Sequence, residues 1–334
     1  MNSANSKLIV VVGATGGQGN SVVDAFLEDD EYRVRGVTRN TQSPKAQALT
    51  KKGVEMVAGD AHNEQSLSRA FVGAYAIFSM TDFFEPFAKS GPQKAIDIEV
   101  EQGVNIARAA AGTAGLQHFL WSTLPHAGEL TKGKFIVPHF EAKNRVDDFI
   151  KTDKKILAKT TFLWFGFYAE NLFYPIFTPT YVKSAGKYIQ LSTADPSTPI
   201  WSLGDHRTNV GIFIRAIVKN PPNTGGTFIR CFAELHPSLD DYLAAWGRAS
   251  GLAPSPGSTM VVKISLDEYS KLWPGWGEEM GLMMDLWGVL KYNSWGGLPG
   301  DNVRNIDEFL SAEDKKKVIK TEAAFKALDW KPVI

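Results

Sequence analysis

Along the first half of the chain, short runs of apolar, β-branched residues alternate with longer stretches of helical periodicity. Lys7–Val12 is almost continuously apolar, as a strand buried on both faces requires. The pattern then predicts a helix over Gln18–Glu28, a strand at Tyr32–Thr38, a helix at Pro44–Lys52 and a strand at Val54–Gly59. A helix at Glu64–Val72 and a strand at Ala76–Met80 follow. Next come a long Ala-rich helix over Gln93–Ala111, a strand at His118–Ser122, an amphipathic helix over Val137–Lys151 and a strand at Thr161–Phe165. Six strands joined by helical crossovers predict an α/β fold with a doubly wound parallel sheet.

After about residue 170 this rhythm stops. Pro175, Pro179, Pro196, Pro199, Pro221 and Pro222 interrupt the pattern. Helices are expected at Asn209–Lys219, Leu239–Ser250, Leu266–Leu272 and Glu278–Tyr292, with short strands at Thr227–Cys231 and Met260–Ile264. The expected organisation is a nucleotide-binding domain over 1–168 and a smaller α+β substrate domain over 169–334, partly interleaved with the first. Trp273, Trp276, Met280, Met283, Met284, Trp287 and Trp295 form a cluster that reads either as core or as a lid over a substrate.

Composition narrows the function classes. The 36 Lys and Arg balance the 36 Asp and Glu, so no electrostatic footprint points to nucleic acid or an anionic membrane. The single cysteine, Cys231, excludes an intrachain disulfide framework and suits a reducing compartment. The six histidines show no metal-ligand spacing, so no metal site is expected. The longest uncharged run, Leu8 to Val23, is too short and glycine-rich to span a bilayer, and the opening MNSANSK has no leader-like apolar core. A cytoplasmic protein is expected, or a nuclear one if the chain is a regulator.

The sharpest local signal is Gly13-Ala14-Thr15-Gly16-Gly17-Gln18-Gly19, set directly between the first strand and first helix. Gly13 suits the tight turn, Gly16 allows a pyrophosphate near the backbone, and Gly19 allows close helix–strand packing. The amides opening that helix then face an anion. Thr38-Arg39-Asn40 ends the second strand with no carboxylate from Val34 to Gln42. A 2′-phosphate on Arg39, hence NADP(H), fits better than NAD; the alternative is an ordinary exposed arginine. Asp60 and Ala61 close the third strand, where Asp60 either accepts from an adenine amino group or caps the next helix. Met80, Thr81 and Asp82 follow the fourth strand and either line the cofactor cleft or form its turn.

No tyrosine has a lysine four residues on, but His139 does. His139 and Lys143 therefore share one face of a helix. Lys143 can hold the nicotinamide ribose or donate a proton, and His139 has suitable acidity for proton transfer; each is also an ordinary helix-start residue. Ser122 can polarise a substrate carbonyl or simply satisfy a strand end. Phe167 and Tyr168 either flank a nicotinamide or belong to the core.

Together these residues resemble the NmrA-like family, an atypical branch of the short-chain dehydrogenase/reductase superfamily, over nearly the whole chain. The resemblance rests on the glycine loop, Thr38-Arg39, Gly59-Asp60, His139-Phe140-x-x-Lys143 and Tyr168-x-Glu170-Asn171. Ser122-Thr123-Leu124-Pro125 looks typical of fungal members. The resemblance implies a Rossmann domain that binds NADP(H) through Gly13 to Gln18, Arg39, Asp60, Ala61, Thr81, Lys143 and Tyr168 to Asn171. The family includes regulators that bind the dinucleotide without turnover, and its relatives reduce small aromatic or alkaloid-like substrates using a lysine. The expectation for this chain is an NADPH-dependent reductase of a small apolar or aromatic substrate, a ketone, imine or enone; the alternative is a non-catalytic redox sensor that acts on a protein partner in transcriptional regulation. The missing tyrosine departs from the superfamily's catalytic pattern.

Overall fold

Alternate residues of the first strand serve two cores. Leu8, Val10 and Val12 pack into one apolar cluster, Ile9 and Val11 into another on the opposite face. The computed structural model that shows this describes residues 6–333; Met1–Asn5, part of the stretch weighed as a leader, lie outside the described residues. The first half contains β1 (Lys7–Val12), α1 (Gly17–Leu27), β2 (Tyr32–Thr38), α2 (Pro44–Lys51), β3 (Glu55–Ala58) and α3 (Glu64–Phe71). It continues with β4 (Ala76–Ser79), α4 (Phe84–Ala111), β5 (His118–Thr123), the short α5 (Ala127–Leu130), α6 (Pro138–Thr152) and β6 (Thr160–Phe165).

These six strands lie in the order β3-β2-β1-β4-β5-β6, all parallel. The chain leaves β1 towards β3 and returns to the other side of β1 as β4. That reversal opens a crevice at the carboxyl ends of β1 and β4, where doubly wound sheets bind ligands.

Two departures matter. The long helix begins at Phe84, not near Gln93. It is broken at Gly91, whose φ of 76° lies in the left-handed region, and restarts at Pro92. Glycine takes that conformation freely and proline suits a first helical turn, so the sequence there reads as a helix start. The second half also returns two strands to the main sheet. Thr227–Cys231 pairs in parallel with β6, and Val303–Asn305 pairs beyond it, giving eight strands. The remaining strands of this half form two three-stranded sheets, one of them built on Phe167–Tyr168.

The helix His206–Lys219 packs beside α1, where the Ser21 hydroxyl accepts from the Gly211 N–H at 2.8 Å. The helix Trp276–Leu290 lies over the N-terminal end of α6. No helix among the described residues is long and apolar enough to cross a membrane.

Candidate functional site

The glycine turn has the geometry its spacing predicts. Gly13 has a φ of 72°, and the Gly16 N–H donates to its carbonyl at 2.9 Å. A side chain at Gly19 would overlap the Gly13 carbonyl, so close packing requires glycine there. Gly16 is exposed and N-caps α1 with no side-chain cap, and no acid stands in the first turn. The helix therefore offers uncapped amides and its positive end to an anion. Ala14 is buried and packs close to Gly36, while Thr15 and Gln18 are half-buried at the rim. Met80 lies against Gly13.

The residues after β2 and β3 mix turn chemistry with free polar surface. Thr38 Oγ1 accepts from the Asn40 N–H at 3.3 Å, and Asn40 Oδ1 accepts from the Gln42 N–H at 2.9 Å. Arg39 keeps 68% of its side chain exposed and pairs with Glu85 at 3.2 Å. Lys89 and Arg39 together hold the Glu85 carboxyl below its usual range. The helix-cap alternative for Asp60 does not hold: Asn63 caps α3 by accepting from the Ser66 N–H, while Asp60 accepts from the His62 N–H at 3.0 Å. The Ala61 carbonyl accepts from Asn105 of α4. Asp82 forms the turn into α4, accepting from the N–H groups of Phe84 and Glu85.

Lys143 lies at the centre of a buried polar cluster. Its Nζ donates to Glu99 Oε1 at 2.9 Å and to Thr81 Oγ1 at 3.1 Å, with the Thr81 carbonyl at 3.3 Å. Thr81 Oγ1 itself donates to Glu99 Oε1 at 2.6 Å. Glu99 is fully buried, and its Oε2 has no partner among the described residues. The Lys143 Nζ also lies 5.7 Å from the Trp121 ring centroid. Behind that ring, Asp147 accepts from Trp121 Nε1 at 2.8 Å and from Thr123 Oγ1 at 2.7 Å. Burial pushes the Asp147 carboxyl up to about 7.

One turn before Lys143, the His139 ring lies among Phe83, Phe84 and Phe140, with Nδ1 on Glu279 of the helix Trp276–Leu290. Phe84 stacks on Trp276 at 5.7 Å, and both rings remain partly exposed. The cluster of Trp and Met residues therefore divides. Met280, Met283, Met284, Trp287 and Trp295 are core, and Trp276 is surface at the site.

Other sequence candidates separate in the same way. Phe167 is buried against Phe177, Tyr242 and Trp287, which places it in the core. Tyr168 accepts at its hydroxyl from Gln18 Nε2 at 2.6 Å, and burial pushes its phenol up to about 12. Asn171 lies half-buried in the following 3₁₀ turn. Ser122 is buried within β5, which runs on through Thr123. No hydrogen bond joins it to Lys143 or His139.

Glu99, Glu279, Asp147 and His206 belong to no motif of the sequence, yet the fold brings them to the site. His206 stacks on Tyr168 at 4.7 Å, and a side chain at Gly17 would overlap its imidazole. A signal for Glu99 was available, since it falls on the apolar stripe Ala95, Ile96, Gly103, Ile106, Ala107 and Ala110 of α4.

Compared with known proteins, the chain matches the sequence profile of the NmrA-like family over residues 5–254. It is 29% identical over 259 residues to the NmrA-like family domain-containing oxidoreductase FrzB of Cladobotryum sp, covering 73% of this chain and 74% of that one. It is 33% identical over 169 residues to the oxidoreductase hkm9 of Aspergillus hancockii, a match that spans 50% of this chain and only 48% of that protein. Among solved structures it resembles NmrA, a negative transcriptional regulator in complex with NAD, with a TM-score of 0.74 at 21% identity over 98% of this chain and 99% of that one. It also resembles the Citrobacter sp. triphenylmethane reductase complexed with NADP(H), with a TM-score of 0.65 at 16% identity over 96% and 99%.

Proposed function

The chain belongs to the NmrA-like family, and from that premise we propose that it is an NADPH-dependent reductase of small aromatic ketones, imines or enones. The observation that carries the reading is Lys143. Its ammonium is fixed by Glu99 and Thr81 at the carboxyl edge of the sheet, one helical turn from His139, whose ring lies 5.4 Å from Phe84 of the partly exposed Phe84–Trp276 stack. A dinucleotide would be held by the uncapped amides of α1 around Gly13 to Gln18, with Arg39 free to meet a 2′-phosphate once it leaves Glu85. When bound, NADPH supplies the hydride, which the protein's own side chains cannot.

The roles left to the chain are positioning and charge. Lys143 supplies a cation that Glu99 keeps in place, and by giving up its 3.3 Å contact with the Thr81 carbonyl it would free a donor for a ribose hydroxyl. Phe84 and Trp276 offer flat apolar surface to an aromatic ring, and offset or edge-on ring contacts are each worth about 0.5–1.5 kcal/mol beyond area burial. Relatives named as oxidoreductases support the same class.

The test is NADPH absorbance followed in the presence of benzil, dihydroisoquinoline and chalcone. Loss of the reduced-nicotinamide band with any of them is expected. The competing reading is a redox sensor acting through a protein partner, favoured by the absence of a tyrosine four residues before Lys143. A sensor requires different affinities for NADP⁺ and NADPH. No oxidation across the panel, with a clear affinity difference by calorimetry, would decide for the sensor.

A further inference from the structure

Glu279 is an acid on an otherwise apolar helix face. It is 2% exposed and lies between buried Gly277, Met280 and Met283. A carboxylate tolerates such burial only where hydrogen bonds or an opposite charge replace water. Glu279 Oε1 accepts from the His139 main-chain N–H at 3.1 Å and pairs with His139 Nδ1; its Oε2 has no partner among the described residues. A carboxylate on Nδ1 fixes the proton there and leaves Nε2 as the nitrogen free to exchange one. Among the described residues Nε2 has no protein hydrogen-bond partner, and the His139 side chain keeps 8% of its surface exposed. The exposed ring of Phe84 lies 5.4 Å from the imidazole, and Lys143 is one helical turn away.

We propose that Glu279 is the positioning residue of a carboxylate–imidazole dyad in which His139 Nε2 is the proton donor of the reduction. The inference rests on the reductase reading. As the hydride of NADPH forms a C–H bond at the carbonyl or imine carbon, the π pair moves to oxygen or nitrogen. That atom takes the Nε2 proton from the imidazolium. The substrate is reduced, NADPH is oxidised, and His139 is left neutral with Nδ1–H on Glu279. Solvent then restores the Nε2 proton.

The other charged groups on the packed elements are already engaged. Lys143 is paired with Glu99, Glu141 with Arg145, and Glu85 with Lys89 and Arg39; Asp82 accepts from backbone N–H groups. Glu278 neighbours Glu279 in the first turn of its helix, without a hydrogen bond to His139. The donor is therefore assembled from both halves of the chain, His139 from α6 and its carboxylate from the helix Trp276–Leu290.

Glu279 also supplies α6 with a cap, which Val137 cannot. The Glu279→Gln variant separates the roles, because Gln keeps the acceptor and removes the charge. Nitrogen-15 NMR of the histidine-labelled full chain reads the tautomer, with His139 assigned by loss of its signals in His139→Gln. An Nδ1–H ring is expected; a neutral Nε2–H ring, the form free imidazole prefers, overturns the dyad whatever the turnover. On NADPH with benzil, dihydroisoquinoline and chalcone, Glu279→Gln is expected to lower kcat roughly tenfold to a hundredfold and to leave the KM for NADPH unchanged. An unchanged kcat overturns the positioning role. A wild type that shows Nδ1–H but oxidises no NADPH on the panel overturns the reductase reading, and the donor role with it, but leaves the pair standing.

Discussion

Asp147 ties protein stability to pH through the wall of the site. Asp147 is 3% exposed, and its carboxyl is held by Trp121 Nε1 and Thr123 Oγ1. Burial pushes it from 3.8 up to about 7, against the pull of those two donors and of Lys151. Between about pH 4 and pH 7 the folded chain thus keeps a proton that the unfolded chain has released. In that window unfolding loses free energy at about 1.4 kcal/mol per pH unit from this group, and above it the loss is complete. From pH 5 to pH 8 the change is on the order of 3 kcal/mol. In Asp147→Asn the amide oxygen can accept from Trp121 and its NH₂ can donate to Thr123. The variant should therefore keep the packing and lack the pH term. The assay is chemical denaturation of both proteins at pH 5 and pH 8. Wild type should lose about 3 kcal/mol more than the variant over that range. Groups common to both proteins cancel in this difference. Parallel losses would refute a native Asp147 carboxyl that stays protonated up to about pH 7.

Arg39→Asp should weaken NADPH relative to NADH by roughly tenfold to a hundredfold, the value of one charge-assisted hydrogen bond, read by calorimetry with both cofactors; equal weakening would show that Arg39 does not read the 2′-phosphate. Glu99→Ala strands the Lys143 ammonium in a buried site and should destabilise by about 3–5 kcal/mol in denaturant titrations, whereas Glu99→Gln should lose less because its oxygen still accepts. Gly17→Ala forces a methyl into the His206 imidazole. It should cost about 1–3 kcal/mol for overpacking, less about 1 kcal/mol of helix preference, and His206→Ala in the same chain should recover part of the loss in a double-mutant cycle.

What could be read in advance follows from how local each signal is. Lys7–Val12 is legible because a strand buried on both faces is apolar throughout. Leu239–Ser250 is legible because Ser238 caps its start and Gly251, with φ 75°, ends it. Val303–Asn305 is a strand only because Thr227–Cys231 offers an edge, and three residues with two polar side chains carry no period of their own. The site divides on the same line. The glycine turn and the His139–Lys143 spacing are written within a few residues. Glu99 is 44 residues from Lys143, and Glu279 is 140 from His139. An acid in a helix reads as solvated surface until the partner that buries it is known.

The helical stripe still held a clue. Glu99 and Asp147 each fall where their helix turns apolar residues inward, and Glu279 sits between Gly277, Met280 and Met283 on its own buried face. A leucine or methionine at any of these positions would remove the desolvation penalty, and replacing buried ion pairs by packed apolar groups is often neutral or stabilising. A chain that buries three acids near one helix therefore forgoes stability at that helix. All three act on the same short stretch. Glu99 fixes Lys143, Asp147 fixes the Trp121 ring beside Lys143, and Glu279 fixes His139. The side chains fixed are a cation, an aromatic wall and an imidazole, which are groups that stabilise charge and move protons. Packing alone gives no reason for this arrangement, and the reduction proposed above would.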